Sequence, residues 1–429
     1  MHAFSLFLLL DPPVKPPTNH RNKPSSHCAT MSSNNSDQPK LKVGILGATG
    51  TVGQRFVALL ALHPYFVLHA LCASSRSAGK SYRAATKWKL ATPMPASVAD
   101  QVVDSCSVTK ESRLLECDVV FSGLDASVAG SIEAACAAAG LAVFSNAKNF
   151  RMHPNVPLVV PTANAEHLAP LIAAQRAQGA QMWVQELLAE APDGHAADYI
   201  DPELFVDGGC IVTNSNCSTT GLVVVLRALQ AVFGPATKVH VTTMQAVSGA
   251  GYPGLPVLDV FDNVVPLISG EEEKLETEPR KILGTIEGAR VADAELLIAA
   301  ACNRVPVLDG HTLAVSVSFR DSAKVEPEAA MAALRAYVPP PGEEVWSRCP
   351  SFPHGVGAIR VADEADRPQP RLDRERGKGM TVSVGRVRKC NLFDLKFVAL
   401  THNTILGAAG SSILNAEVAV AQGLIKGSK

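Results

Sequence analysis

From Leu41 onward, the chain alternates short apolar stretches with stretches of helical spacing. Residues 41–48 (LKVGILGA) and 66–74 (FVLHALCAS) predict buried strands, and residues 51–62 predict a helix between them that ends before Pro64. Further segments of the same alternation are 117–126, 128–139 and 141–146. Parallel strands are joined by crossover helices, so this order predicts an α/β fold with a doubly wound Rossmann-type sheet.

The pattern changes after Cys217. Long strands are predicted at 238–247 and 311–320, on either side of a charged helix at 271–283, which indicates an α+β unit with a more antiparallel sheet. Residues 1–40 are rich in Pro, Ser and Asn and predict a disordered arm. The predicted domains are 41–216 together with 392–429 for the Rossmann-type unit, and 217–391 for the α+β unit.

The overall charge limits the classes of partner. Lys and Arg total 39 against 40 Asp and Glu, so no net field attracts nucleic acid or an anionic membrane, and a small ligand is expected. The ten cysteines form no CxxC pair, which favours free thiols in a reducing, cytoplasmic compartment. The apolar run 3–10 is too short to span a bilayer, and Lys15, Arg21 and Lys23 leave organellar targeting as the alternative.

A glycine-rich stretch, VGILGATGTVG, follows the first strand. Gly47, Gly50 and Gly53 open a helix in GxxGxxG spacing, where backbone amides approach a pyrophosphate closely. A tight strand-to-helix turn without a ligand is the alternative reading. The second strand ends in CASSRSAGK, whose hydroxyls and positive charge favour the 2′-phosphate of NADP because no carboxylate lies nearby. A solvated turn is the alternative for this second stretch.

Cys217 lies in TNSNCSTTGLVVVLRAL, between a predicted strand at 210–216 and a predicted helix at 218–231. The free amides and the dipole of a helix N-terminus favour a thiolate, and the same amides can hold an oxyanion on a carbonyl that the sulfur attacks. The polar neighbours Asn216 and Ser218 distinguish this cysteine from those in apolar runs. A nucleophile is therefore expected, with a capping or buried thiol as the alternative.

A thiol nucleophile needs an acid/base partner, and His311 is the strongest candidate among the histidines because it opens a strand at an Asp-Gly turn. A structural turn histidine is an equal alternative. Arg151 and Arg304 have the fork geometry that binds carboxylate or phosphate. Glu271 and Lys274 are three residues apart on one helix, and from spacing alone they favour a solvated salt bridge.

Together these stretches resemble the aspartate-β-semialdehyde dehydrogenases, in particular their archaeal and fungal branch. The matching motifs are GILGATGTVGQRF, SNCSTTGL, MQAVSGAGYPG, SGEEEKLETEPRKILGT, CNRVPVLDGHT and THNTILGAAGSS. They occur in family order and cover nearly everything from residue 41 to the end. The resemblance implies an enzyme that uses NADPH to convert β-aspartyl phosphate to aspartate-β-semialdehyde and phosphate, on the pathway to lysine, threonine, methionine and isoleucine.

The resemblance also implies a role for each matching residue. Cys217 would form an acyl-thioester, His311 would be the acid/base, and Gln245 would orient the substrate. Arg304 would bind the substrate carboxylate and Glu271 its amino group. The implied phosphate contacts are Arg151, Asn216 and Lys274. The implied NADP contacts are Gly47, Ala48, Thr49, Gly50, Thr51, Val52, Gly53, Ser74, Ser75, Arg76, Lys80, Ser248, Gly249 and Asn403.

The chain departs from the family pattern at residues 179–209, which look longer than the family's link and predict an added surface element. The resemblance implies a homodimer or homotetramer formed through the second domain. Three alternative functions stay open: another reductase of acyl phosphates or acyl thioesters, such as an N-acetyl-glutamyl-phosphate or malonyl-CoA reductase; a cysteine hydrolase; and an inactive NADP-sensing protein.

Overall fold

The computed structural model describes residues 40–189 and 202–427. The strands of its first sheet are β1 (Leu41–Leu46), β2 (Phe66–Ala73), β3 (Asp104–Ser105), β4 (Val119–Ser122), β5 (Ala142–Ser145) and β6 (Cys210–Thr213). Every neighbouring pair is parallel, and the order is β3-β2-β1-β4-β5-β6. The strand order reverses between β1 and β4, which is where such sheets bind ligands. The predicted doubly wound α/β fold is confirmed.

Helices connect these strands. They are α1 (Thr51–Leu60), α2 (Tyr82–Ala85), α3 (Ala96–Ala99), α4 (Ala126–Ala138), α5 (Pro161–Asn164), α6 (Leu168–Gln178) and α7 (Ala180–Ala189). The apolar face of α1 buries Phe56, Val57 and Leu60, and Phe56 stacks on Phe121 of β4 with ring centroids 5.1 Å apart. Because these apolar residues recur at helical spacing and lie on one face, the segment folds as a helix that packs against the sheet.

The helix α7 belongs to the segment that departs from the family pattern. Its side chains Trp183, Val184 and Leu187 are buried and join an apolar cluster with Ile132 and Cys136 of α4. The helix is therefore amphipathic: its apolar face packs on α4, while Gln181, Met182 and Gln185 are exposed, as a surface element requires. Residues 190–201 of the same segment lie outside the described residues.

The second half of the chain forms a mixed sheet. Its strands and those of a small hairpin are β7 (Ala236–Gln245), β8 (Thr285–Glu287), β9 (Arg290–Ala292), β10 (Leu297–Arg304), β11 (His311–Phe319), β12 (Ile359–Val361), β13 (Val382–Lys389) and β14 (Leu395–Thr401). The sheet order is β10-β7-β11-β14-β13-β12, and β8 pairs with β9. The pairs on both sides of β11 are antiparallel, as the sequence predicts.

The helices of this half are α8 (Cys217–Phe233), α9 (Val257–Val260), α10 (Glu271–Ile282), α11 (Pro327–Arg335), α12 (Glu343–Trp346), α13 (Pro370–Asp373) and α14 (Gly410–Ala421). A π-helical turn, Ile405–Ala409, precedes α14. Short 3-10 turns occur at Arg113–Glu116, Ala165–His167, Pro202–Leu204, Val247–Ala250, Ser322–Lys324 and Arg376–Gly379. No helix within the described ranges is both long and apolar enough to cross a membrane.

The helix α8 lies in an apolar core that extends from one sheet to the other. The same cluster of buried side chains contains Phe121 of β4, Val224 of α8 and Val315 of β11. The strand β14 pairs with β11 and β13 in the second sheet. Residues 392–401 therefore do not return to the first unit as the predicted boundary at 392 requires, because β14 supplies backbone hydrogen bonds to the second sheet.

Candidate active site

The glycine-rich turn joins β1 to α1 where the strand order of the first sheet reverses. Gly47 has φ of +74°, and a Cβ on Gly53 would lie 2.1 Å from the Gly47 carbonyl oxygen. Gly50 precedes α1 without a side-chain cap, so amides of the first turn remain available to an anion. The loop therefore has the close backbone approach and the donors that a dinucleotide pyrophosphate requires.

The turn after β2 lies at the same edge of the sheet as the glycine loop. Ala48 N–H donates to the Cys72 carbonyl of β2 at 2.9 Å, which ties the two segments together. Ser74, Ser75 and Arg76 are exposed beyond the strand, and Lys80 Nζ donates to the Arg76 carbonyl at 2.7 Å. Hydroxyls and a guanidinium are therefore open to solvent here, as binding of a 2′-phosphate requires.

Cys217 is the first residue of α8, as predicted. Asn216 caps the helix, since its Oδ1 accepts hydrogen bonds from Ser218 N at 2.9 Å and Thr219 N at 3.3 Å. These two amides therefore already have an acceptor, and the expectation that this helix terminus holds an oxyanion stays a prediction. A Cβ on Gly407 would lie 2.8 Å from Cys217 Cβ, so the π-helical turn is seated directly against the cysteine.

The protonation of Cys217 differs from the sequence expectation. Burial, with a smaller contribution from the Glu271 carboxylate, raises the pKa of its thiol to about 12, while Arg151, Arg304 and Lys274 act in the opposite direction. The expectation of a sulfur ionised by its helix end is therefore wrong for the ligand-free site. Loss of water around the sulfur is the largest of these effects.

Glu271, at the start of α10, accepts hydrogen bonds from side chains of α10, of β7 and of the residue before α8. Its carboxylate accepts from Lys274 Nζ at 2.7 Å, from Asn216 Nδ2 at 2.8 Å and from Gln245 Nε2 at 3.2 Å. Burial opposes its ionisation, but these donors and the Lys274 charge outweigh that effect and hold its pKa below the usual value. The Glu271–Lys274 pair is therefore part of a largely buried cluster, and the reading as a solvated salt bridge is wrong.

Arg304 and His311 are held by the backbone of one residue, Ala246. The Ala246 carbonyl accepts from Arg304 Nη1 at 2.7 Å, and the Ala246 N–H donates to His311 Nδ1 at 3.0 Å. Both side chains are buried, and a Cβ added to Gly249 would meet both of them, at 2.8 Å from Arg304 Nη1 and 3.1 Å from His311 Nε2. The two predicted residues therefore both pack directly against Gly249.

Asn403, after β14, links the turn that contains Gly249 to the residue before His311. Its Nδ2 donates to Ser248 Oγ at 2.8 Å, and its Oδ1 accepts from Gly310 N at 2.8 Å, directly before His311. The structure thus brings Ser248, Gly249 and Asn403 together with His311. The predicted cofactor residues of the glycine loop and the Ser74 turn lie at the carboxyl edge of the first sheet.

Two buried residues that organise the site were not found from the sequence. Glu278 Oε1 accepts from Arg151 Nη1 at 2.8 Å, and its Oε2 accepts from the Asn216 backbone N–H at 2.6 Å. Lys281 Nζ donates to three backbone carbonyls in the segment that carries Arg151. The sequence spacing could have indicated them, because residues 271, 274, 278 and 281 lie on one face of α10. Charged side chains on an inward helix face require partners.

A doubly wound sheet with a glycine loop, next to a cysteine at a helix N-terminus, defines a dinucleotide-dependent oxidoreductase. Comparison with known proteins narrows this class. Residues 42–171 match the model of the semialdehyde dehydrogenase NAD-binding domain, and residues 226–406 match that of the semialdehyde dehydrogenase dimerisation domain.

Full-length relatives specify the family. An aspartate-semialdehyde dehydrogenase of Cryptococcus neoformans is 50% identical over 91% of this chain and 100% of the relative, and that of Schizosaccharomyces pombe is 50% identical over 90% and 99%. The crystal structure of the Candida albicans aspartate-semialdehyde dehydrogenase with NADP has a TM-score of 0.77 and 45% identity, and covers 90% of this chain and 100% of that one. The chain belongs to the aspartate-semialdehyde dehydrogenase family.

Proposed function

We propose that this chain is an NADP-dependent aspartate-β-semialdehyde dehydrogenase. It converts β-aspartyl phosphate to aspartate-β-semialdehyde and phosphate, for the synthesis of lysine, threonine, methionine and isoleucine. The observation that supports this most strongly is that Cys217 begins α8 within electrostatic reach of Arg151, Arg304 and Lys274. A thiol beside three cations suits a small, multiply anionic acyl donor.

The cofactor is NADP, held by the glycine loop (47–53) and by the turn at Ser74, Ser75, Arg76 and Lys80. The close approach of Gly53 to Gly47 and the uncapped start of α1 fit a pyrophosphate, and the exposed Arg76 fits a 2′-phosphate. Ser248, Gly249 and Asn403 would contact the end of the cofactor near the cysteine. Bound NADPH supplies the hydride that reduces the acyl group carried by the enzyme.

Each charged group of the substrate has its own binding residues. Arg304 binds the carboxylate, and its buried Nε has no partner among the described residues, so a donor remains for a ligand. Glu271 binds the amino group. Arg151, whose Nε is likewise unpartnered in the described part of the chain, binds the phosphate together with Asn216 and Lys274.

The chain's own residues perform the acyl transfer. The Cys217 sulfur attacks the acyl carbon, the carbon–oxygen bond to phosphate breaks, and the thiol proton leaves with the phosphate as a thioester forms on the enzyme. Gln245, one hydrogen bond from Glu271, orients the substrate amine and acyl group. His311 is the acid/base for the thiohemiacetal oxygen.

We further propose that the chain is cytoplasmic and works as a homodimer or homotetramer. The cysteines of the described residues are free thiols, which suits a reducing compartment. Residues 41–216 with the C-terminal helix α14 bind NADP, and residues 217–401 carry catalysis and dimerisation. Light scattering coupled to size exclusion gives the oligomeric state, and a tagged full-length chain and a version that begins at Met31 give the compartment.

The decisive experiment is NADP reduction by aspartate-β-semialdehyde, with and without phosphate, by the wild type, by Cys217→Ala and by the control Cys390→Ala. We expect phosphate-dependent reduction by the wild type and the control, and none by Cys217→Ala. Turnover of malonyl-CoA in place of the semialdehyde would contradict the proposal, as would full activity of Cys217→Ala.

A further inference from the structure

Glu133 is a buried acid that the proposed mechanism does not use. It lies in the middle of α4, and its side chain is fully buried. Burial raises its pKa to about 7, although the hydroxyls of Ser122 and Ser145 and the Arg151 charge act in the opposite direction. Arg151 itself pairs with Glu278. A carboxyl group in such a place is unfavourable for folding unless its contacts offset the cost, so its contacts indicate its role.

The carboxyl group of Glu133 orients the hydroxyl of Ser145. Ser145 is the last residue of β5, and its Oγ donates to Glu133 Oε1 at 2.7 Å. The same Oγ accepts a hydrogen bond from the backbone N–H of Ala147 at 3.0 Å. Because a backbone N–H can only donate, the hydroxyl keeps its one proton for Glu133. Glu133 thus holds, through this hydroxyl, the start of the loop that follows β5.

Ser145 and Ala147 flank Asn146, whose backbone carbonyl binds the predicted phosphate-binding arginine. Asn146 O accepts from Arg151 Nη2 at 2.8 Å, and Glu278 binds Nη1 of the same guanidinium. Arg151 Nε has no partner among the described residues, so this is the donor that remains for a ligand. A guanidinium is planar and rigid, so a shift of the Asn146 carbonyl would turn Nε as well.

We propose that Glu133 is a positioning residue for phosphate binding: it holds the turn Ser145–Ala147 and, through the Asn146 carbonyl, aligns Arg151 with the phosphate of the substrate. This inference rests on the proposed function. Glu133 acts through Arg151 and not by contact with the reacting atoms.

The role is tested by the KM values of the oxidative direction, in which aspartate-β-semialdehyde, phosphate and NADP react. Glu133→Met removes the acceptor for Ser145 and retains the length of the side chain, whereas the carbonyl oxygen of Glu133→Gln can still accept from Ser145. We expect the KM for phosphate to rise about tenfold in Glu133→Met and to stay within about twofold of wild type in Glu133→Gln. The KM for the semialdehyde should stay within about twofold in both variants, because Arg304 and Glu271 do not depend on this turn.

Cys136→Ala is the matched control. Cys136 is another fully buried side chain of α4, so its truncation weakens the packing of the helix and leaves the hydrogen bond between Glu133 and Ser145 in place. We expect an unchanged KM for phosphate. A rise equal to that in Glu133→Met would overturn the inference, because loss of packing alone would then explain it. An unchanged KM for phosphate in Glu133→Met would overturn it as well.

A double variant tests whether Glu133 acts through Ser145. Ser145→Ala breaks the same connection, so we expect a KM for phosphate close to that of Glu133→Met. The double variant should have no higher KM than either single variant, because residues that act in one chain of contacts are not additive. Independent effects that multiply would refute the connection. If Glu133→Met does not fold, an unchanged KM for phosphate in Ser145→Ala alone refutes it.

Phosphate binding without turnover separates this inference from the proposed function. Inorganic phosphate should raise the midpoint of thermal unfolding of the cofactor-free wild type and of Glu133→Gln, and should raise it less in Glu133→Met at the same concentration. A wild type that phosphate stabilises but that does not reduce NADP with the semialdehyde contradicts the proposed function. A wild type that is active, together with a Glu133→Met protein that phosphate stabilises equally, contradicts only the role of Glu133.

Discussion

Glu278 accepts a hydrogen bond from Arg151 Nη1 at 2.8 Å, although the two residues are separated by 127 positions in the sequence. Both side chains are buried, and the other oxygen of Glu278 binds the Asn216 backbone N–H at 2.6 Å. One carboxylate thus sets the position of a predicted phosphate-binding arginine relative to the residue before the nucleophile. Arg151 also donates from Nη2 to the Asn146 carbonyl at 2.8 Å, so Nε is the nitrogen that has no partner among the described residues.

Glu278→Gln should impair both stability and phosphate use. The amide can still accept from Asn216, but Arg151 loses its charged partner while it stays buried, which costs about 3 kcal/mol in the free energy of unfolding. We expect the KM for phosphate in the oxidative direction to rise about tenfold, a change of about 1.4 kcal/mol in binding. The control is Glu273→Gln, the same change at an exposed position of α10. Equal free energies of unfolding and equal KM values for phosphate in the two variants would show that the Glu278–Arg151 ion pair is dispensable.

Lys281 anchors the segment that carries Arg151. Its Nζ donates to the carbonyls of Arg151, His153 and Val156 at 2.7, 2.6 and 2.8 Å. Lys281→Met leaves these carbonyls without a donor, so we expect a loss of about 3 kcal/mol in the free energy of unfolding by urea denaturation. The neighbouring exposed Arg280, changed to Gln, should stay within about 0.5 kcal/mol of wild type. A Lys281→Met protein with the wild-type free energy of unfolding would mean that water replaces the ammonium as the donor to these carbonyls.

Local sequence patterns were sufficient to predict many of the strands and helices and the position of Cys217 at the start of a helix. The polar cap followed by an apolar stretch of helical spacing predicted that Cys217 begins a helix, and the structure agrees. The sheet that carries the glycine loop followed from alternation alone. These features depend on residues close in sequence, whose geometry is set by capping and by burial of one face.

Features that depend on distant residues could not be predicted. The Glu278–Arg151 bridge joins a helix of one half to a loop of the other, and no spacing rule relates them. The high pKa of Cys217 results from burial and from the Glu271 carboxylate, which arrive only on folding. The expected ionised sulfur was wrong because helix position was weighed without the desolvation that competes with it.

Thiol reactivity of the ligand-free protein follows from these pKa values. Burial raises the pKa of Cys217 to about 12. Burial also opposes ionisation of Cys390, but hydrogen bonds from the Leu392 and Phe393 backbone outweigh it and hold its pKa below the usual value. Because the thiolate is the reactive form, iodoacetamide at about pH 7.5 should label Cys390 before Cys217.

Peptide mass mapping over time measures this order. The Cys390→Ser protein is the matched control, in which Cys217 should react slowly and at a rate that is still rising at about pH 10. Rapid labelling of Cys217 at neutral pH, independent of pH above that, would instead mean that the helix terminus ionises the sulfur.

Cofactor preference is expected to depend on Arg76. Its guanidinium is exposed after β2, where the sequence has no carboxylate to bind a ribose hydroxyl. Arg76→Ala should weaken NADPH binding about tenfold, the value of one charge-assisted hydrogen bond, and leave NADH binding unchanged. Titration of intrinsic fluorescence gives both affinities. The control is Arg83→Ala, a change at another exposed arginine of the same half, which should alter neither the NADPH nor the NADH affinity. An equal decrease of both affinities in Arg76→Ala would exclude a role of Arg76 in cofactor selectivity.

Acid should destabilise the folded protein through its buried histidines. Burial lowers the pKa of His167 from 6.5 to about 4, and the Arg227 charge acts in the same direction. Between these two values the unfolded chain binds a proton that the folded chain does not, so the free energy of unfolding falls as pH decreases from about 6.5 to 4. The slope is at most about 1.4 kcal/mol per pH unit for each such histidine, and His311, with its pKa of about 3, adds a second contribution.

Urea unfolding at about pH 7, 6 and 5, at one protein concentration, measures this slope. His167→Gln removes one titrating group and should flatten the profile, because only the contributions of the remaining histidines stay. The exposed His240, changed to Gln, should leave the profile as in wild type. An unchanged slope in His167→Gln would mean that His167 binds a proton in the folded state as readily as in the unfolded state. Water could then reach the ring where Asn164 Nδ2 and His167 Nδ1 lie 3.1 Å apart, or the 3-10 turn Ala165–His167 could open locally.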